Sequence, residues 1–292
     1  MTKSHITAKV IQDSIALNRI TTLELEYPRF IHAELLTHRQ FSRNSASSRA
    51  IPVERMMDLL DSQPAFPTHW GKNQPGMTAR EEIEDTGKAQ EVWARAAQQS
   101  KEASRELLQL GLHKQIANRV TEPFQTIKVV LTATEFQNWF DLRAHPDAQP
   151  EIQELAYEMC KAMRNSEPQE LQPHDCHVPY VNRAKINGQI QYTVGGEYCT
   201  APAARMVSAS CCAQVSYRRL DQSLEKALSI AQRLVAGRPW HASPFEHQAK
   251  PMLSKLQPHT WEPGATHQDR DQEFWSGNFR GWIQHRQLLE QA

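Results

Sequence analysis

Residues 20–49 change periodicity twice, and this constrains the fold more than any other feature of the chain. ITTLELEYP (20–28) alternates and is rich in β-formers, so it reads as a strand closed by Pro28. RFIHAELLTHRQF (29–41) then switches to helical spacing. Ile31, Leu35 and His38 share one face, and Glu34 lies one turn before His38. SRNSASSRAIP (42–52) follows no period and reads as a polar loop or helix end.

The same alternation of element types continues downstream. TIKVVLTAT (126–134) reads as a strand, and a hairpin is expected around Asn187–Gly188. Helical patterns run from about Thr78 to Leu112, with a break at Gly111, and through EFQNWFDLR, PEIQELAYEMCKAM and SLEKALSIAQRLVAG. AARMVSASCCAQVSY is small and apolar. Strands interleaved with helices place the chain in a mixed α/β (α+β) class.

With 33 basic and 33 acidic residues the net charge is +0, so no global field draws the chain to nucleic acid or membrane. An anion site must be local. The five cysteines, at 160, 176, 199, 211 and 212, show no CxxC spacing. Reduced thiols in a cytoplasmic protein fit that pattern. Residues 1–20 do not resemble a signal peptide, and no apolar run is long enough to span a bilayer.

Within 34–49, His38, Arg39, Ser42, Arg43, Asn44, Ser45, Ser47, Ser48 and Arg49 lie close together. Guanidinium forks, hydroxyls and amides form a set suited to phosphate or carboxylate. A solvated, Ser-rich helix cap is the plainer alternative.

His38, Arg39, Ser42, Asn44, Ser47 and Arg49 resemble, in order and spacing, the signature of the flavin-dependent thymidylate synthases. Further blocks are similar to that family: ANRVTEP around Arg119, NWFDLRAHPDAQPEIQELA (with Asn138, Arg143, Gln149 and Glu151), CAQVSY (Ser216) and HASPFEH (His247). In the usual family order the last two blocks come first. The chain therefore reads as a circular permutant forming one domain over 1–292. Residues 203–292 would be equivalent to the usual N-terminal part, and 61–110 would be a helical insertion.

The resemblance implies an α/β fold with long helices around a mixed sheet, and a homotetramer with active sites between subunits. It implies binding of FAD and conversion of dUMP to dTMP, with methylenetetrahydrofolate as one-carbon donor and NADPH as reductant. By the same match, Arg143 is the catalytic residue that polarises the uracil ring. Glu34, Ser47, Ser48, Arg49 and Arg119 join Arg143 in binding dUMP. His38, Arg39, Ser45, Asn138, Ser216 and His247 border the flavin. No metal is implied. The chain departs from the family pattern at Thr37 (usually Arg), Ser45 (usually acidic), Glu34 (usually Gln) and Ala50 (usually Tyr).

Three other readings remain open. The chain could act as a C5 methylase or hydroxymethylase of another pyrimidine nucleotide, such as dCMP or UMP. HDCH (174–177) with the later cysteines could hold zinc. The chain could also be a nucleotide-binding protein without catalysis.

Overall fold

The computed structural model describes residues 5–215, 224–237, 240–253 and 261–290. Its centre is a five-stranded mixed sheet of order β3-β4-β2-β1-β5. The strands are β1 (Thr7–Ile15), β2 (Arg19–Pro28), β3 (Ser42–Ser45), β4 (Thr126–Ala133) and β5 (Gln169–Glu170). β5 runs parallel to β1, and the other neighbours are antiparallel. β2 and β4 begin and end close to the expected positions, and Pro28 closes β2.

β3 corrects the reading of 42–52 as loop or helix end. Ser42–Ser45 pairs with Thr132–Val129 along the sheet edge. Its side chains alternate too weakly in hydrophobicity to announce a strand, and pairing to β4 supplies what propensity does not. The preceding helix is shorter than expected: a turn at Arg29–Ile31 leads into α1 (His32–Leu36). Thr37 Oγ1 bonds the Glu34 carbonyl at 2.7 Å, and the Arg43 guanidinium takes the Leu36 and His38 carbonyls. These bonds end the helix before Phe41.

Register puts two different surfaces on the sheet. Leu23, Leu25 and Tyr27 of β2 share a face with Ile127, Val129, Leu131 and Ala133 of β4, all buried. Two helices cover that face: α5 (Gln137–Arg143) through Trp139, and α6 (Pro150–Arg164) through Ile152, Leu155, Ala156 and Met159. At ~25 cal/mol per Å2 of apolar area removed from water, burial of this layer stabilises the sheet. Thr22 and Thr132 are paired in register on the opposite face, and they too are fully buried.

A second helical layer comprises α2 (Val53–Ser62), α3 (Thr86–Gln109), α4 (Lys114–Ala117) and the turn Asn118–Phe124. α3 starts eight residues later than expected, because Asp85 caps it by accepting from the Lys88 amide. Residues 70–83 are instead paired backbone to backbone around the Gly71–Glu82 bridge. Gly111, at φ +84°, lies just beyond the helix end, as the sequence indicates.

The remaining elements cap the sheet. β6 (Asn182–Ile186) and β7 (Gln189–Val194) form the expected hairpin, with Asn187 and Gly188 both at positive φ. β8 (Glu197–Cys199), α7 (Ala201–Ala213) and α8 (Leu224–Ala236) follow. A turn at Ser243–Glu246 leads to β9 (Ala249–Pro251), β10 (His267–Gln268), β11 (Phe274–Ser276), β12 (Phe279–Arg280), β13 (Trp282–Gln284) and α9 (His285–Glu290). Among the described residues no helix is long and apolar enough to cross a membrane.

Candidate active site

Three polar centres collect the residues singled out by the sequence. The first joins α1 to the end of α5. Arg143 Nη1 lies 3.2 Å from Glu34 Oε2, and Arg143 Nε donates to His38 Nε2 at 3.1 Å. The guanidinium is thus held through Nε and Nη1, and Nη2 has no partner among the described residues. Trp139 meets the His38 ring edge-on at 4.8 Å and seats it. Burial lowers the His38 pKa, and the charges of Arg143 and Arg43 lower it further. His38 therefore stays neutral near pH 7 and can accept from Arg143.

The second centre gathers around Glu122, which the sequence did not single out. Its Oε1 accepts from Ser48 Oγ at 2.9 Å and from Arg119 Nη1 at 2.9 Å, and it lies 3.0 Å from Arg29 Nη2. Asn118 donates to the Ser48 and Ile51 carbonyls and locks the 48–51 loop. The Ser48 hydroxyl is therefore engaged by a carboxylate. Arg49 is exposed beside it, with no ion pair among the described residues. Ser47 is half-buried in the same loop.

The third centre is an open cavity of about 430 Å3 to which Arg39 and Ser45 both contribute. Ser45 Oγ also reaches His32 Nε2 at 3.3 Å, and His32 Nδ1 meets the Tyr27 hydroxyl at 2.8 Å. The Arg39 guanidinium is exposed and has no partner among the described residues. Asn138 is exposed in the first turn of α5 and belongs to none of these contacts. Ser216 lies outside the described residues.

His247 is fully buried and forms the end of a polar chain on the second face of the sheet. Arg183 Nη1 donates to Ser14 Oγ at 2.9 Å, and Ser14 Oγ meets His177 Nδ1 at 2.7 Å. His177 Nε2 meets Thr22 Oγ1 at 2.8 Å, Thr22 meets Thr132 at 2.7 Å, and Thr132 meets His247 Nδ1 at 2.9 Å. Arg183 can only donate, so Ser14 Oγ accepts from it, and the direction of the remaining bonds is set by the histidine tautomers. Among the described residues His247 Nε2 has no hydrogen-bond partner. Burial drives the His177 pKa well down, with the Arg183 and His247 charges adding to it; burial alone takes His247 to about 3. Both rings are neutral at physiological pH.

Of the chain's members only His247 and His177 stood out in the sequence, since serines and threonines on a strand carry no chemical signature. His177 was read within HDCH as a possible zinc ligand. It is instead fully committed to Ser14 and Thr22, while His174 is exposed and Cys176 accepts from Arg205. Among the described residues no group of three or more His, Cys, Asp or Glu is placed to hold a metal ion.

The donor set suits an anionic, ring-bearing cofactor. An unpaired guanidinium and a hydroxyl line an open cavity, and a neutral histidine and a half-satisfied arginine lie on the neighbouring segment.

The frame is thus a mixed sheet backed by helices, with basic and hydroxyl side chains near its β3 edge. The family model described as thymidylate synthase complementing protein matches residues 13–169, more than half of the chain, and the chain belongs to that family. The matched region holds Arg143 and every proposed nucleotide residue, but not the Ser216 and His247 blocks.

The chain is also similar to two solved structures of a UMP/dUMP methylase PolB from Streptomyces cacaoi. The one bound with 5-Br dUMP shows 17% identity and a TM-score of 0.48, covering 55% of this chain and 90% of that one. The one bound with 5-Br UMP shows 19% identity and a TM-score of 0.46, covering 55% and 89%. No curated protein matches this chain.

Proposed function

We propose that the protein methylates dUMP at C5 to give dTMP, using FAD, with methylenetetrahydrofolate as one-carbon donor and NADPH as reductant. The observation that carries this reading is Arg143, held from behind by Glu34 and His38 so that one amino group faces outward. Uracil C5 becomes nucleophilic when negative charge develops on the ring. A fixed cation beside the ring stabilises that charge without reorganising in the transition state. Binding the base would satisfy Nη2, and the carboxylate of Glu34 would keep the guanidinium oriented.

Ser47, Arg49 and Arg119 hold the phosphate and sugar, with Ser48 anchoring the loop through Glu122. Arg39, His38, Ser45 and Asn138 border the flavin. His247 positions the wall behind it. The flavin, when bound, supplies the hydride chemistry, which is needed because a methylene carbon must gain two electrons to become methyl. No cysteine is needed as a nucleophile.

The proposed assembly is a homotetramer with sites completed between subunits. We place the protein in the cytoplasm, in keeping with five free cysteines. The circular permutation is supported by the way the Ser243–Glu246 turn packs behind β3: Gln284 Nε2 bonds both the Glu246 carbonyl and Ser42 Oγ at 3.1 Å.

A second reading, C5 modification of another pyrimidine such as UMP or dCMP, is favoured by one observation. Glu34 is a carboxylate next to Arg143, and a carboxylate only accepts hydrogen bonds where the family's Gln would also donate. Purified protein supplied with FAD, folate and NADPH should convert dUMP to dTMP. Turnover of dCMP or UMP with none of dUMP would select the second reading. A protein that takes up no flavin would refute both.

A further inference from the structure

The C-terminal segment 277–287 is given no ligand contact in the reading above, yet it lines the cavity to which Arg39 contributes. Three remote parts of the chain meet there. Gln284 is 2% exposed, and its amide nitrogen reaches Ser42 Oγ, the Glu246 carbonyl and Asn278 Oδ1. Asn278 donates to the Gln40 carbonyl at 2.8 Å and accepts from Ser42 Oγ at 3.0 Å. These bonds tie the tail to the strand that follows Arg39, so the wall is built before any ligand arrives.

Arg286 stands on that wall. Its Nε donates to Glu290 at 2.8 Å, and its Nη1 donates to Glu246. Among the described residues its Nη2 has no hydrogen-bond partner. Arg39, which lines the same cavity, has none among them either, and Arg43 adds a third guanidinium whose donors take the Leu36 and Phe41 carbonyls. Arg39, Arg43 and Arg286 line the cavity with one carboxylate, Glu246. Two guanidinium forks in one cavity with an excess of positive charge suit a phosphoryl group, whose oxygens can accept from more than one donor at once.

We infer that Arg286 and Arg39 form a phosphate subsite completed by the C-terminal segment. This rests on the flavin reading, under which its occupant is the diphosphate of the dinucleotide. The pairs to Glu246 and Glu290 hold Arg286 in place, and Gln284 and Asn278 fix the wall beneath it.

The test uses the full chain and three probes: FAD, riboflavin and inorganic pyrophosphate, titrated by calorimetry. Wild type should bind FAD more tightly than riboflavin. Arg286→Gln should weaken FAD and pyrophosphate roughly 10- to 100-fold, the worth of a charged hydrogen-bonding partner, and leave riboflavin unchanged. Arg286→Lys keeps the charge and loses the fork, and should fall between the two. It also serves if the Gln variant does not fold. FAD and pyrophosphate binding equal to wild type in a folded Arg286 variant would overturn the subsite. So would equal wild-type affinity for FAD and riboflavin without pyrophosphate binding, which leaves the flavin reading standing. Pyrophosphate binding that depends on Arg286, with no flavin bound, would keep the subsite and refute the flavin reading.

Discussion

Mild acid should destabilise this protein sharply, before its carboxylates titrate. Burial holds His247 at about 3, and burial with the charge of Arg205 holds His285 at about 3, both well below the ordinary 6.5. A group with a depressed folded pKa binds more protons in the unfolded state. Its contribution to stability is therefore full above about pH 6.5 and is lost as pH falls towards 3. At about pH 5 each histidine lies ~1.5 units below its unfolded pKa, which costs about 2 kcal/mol, or about 4 for the pair. His177 moves in the same direction. Against a typical total of ~5–15 kcal/mol, that loss is large. Urea unfolding followed by tryptophan fluorescence at about pH 7.5 and about pH 5 reads it directly. Among the described residues His285 has no partner for either ring nitrogen, and it packs on Phe245 at 5.9 Å, so His285→Phe should keep the fold. That variant should remove about half of the two-histidine pH dependence. Identical midpoints at the two pH values, or an undiminished pH dependence in His285→Phe, would refute the reasoning.

Other outcomes follow from the site. Arg143→Lys keeps the charge but loses the grip of Glu34 and His38 on the fork, and nucleotide affinity should fall roughly 10- to 100-fold, read by calorimetry. Glu34→Gln restores the amide usual in the family and should change the ratio of kcat/KM for dUMP over dCMP by roughly tenfold; an unchanged ratio would remove Glu34 from base selection. Gly277→Ala puts a Cβ 2.5 Å from Gln284 Oε1 at a φ of +58°, and should cost about 1–3 kcal/mol in thermal unfolding.

Sequence reasoning worked where the signal was local and periodic. The β2 and β4 strands, α5, α6, α8 and the Asn187–Gly188 hairpin all lie close to where pattern and turn chemistry put them. It failed where pairing overrode propensity. β1 went unrecognised, β3 read as loop, and α3 was extended back over a segment that Asp85 and the Gly71–Glu82 bridge exclude. The motif residues were legible as types, because guanidinium, hydroxyl and carboxylate chemistry survives without coordinates.

Their grouping was not legible. Arg143 meets His38 across 105 positions, Thr132 meets His247 across 115, and Ser42 meets Asn278 across 236. His-Arg-Gln occurs in the sequence at both 38–40 and 285–287. Only the tertiary structure brings Arg39 and Arg286 to the lining of one cavity. Sequence by itself determined the elements and the chemistry available, since both depend on neighbours a few residues apart. The folded chain decided which arginine is held by a carboxylate and which is left free for a ligand, since that depends on what distant segments bring within about 3 Å.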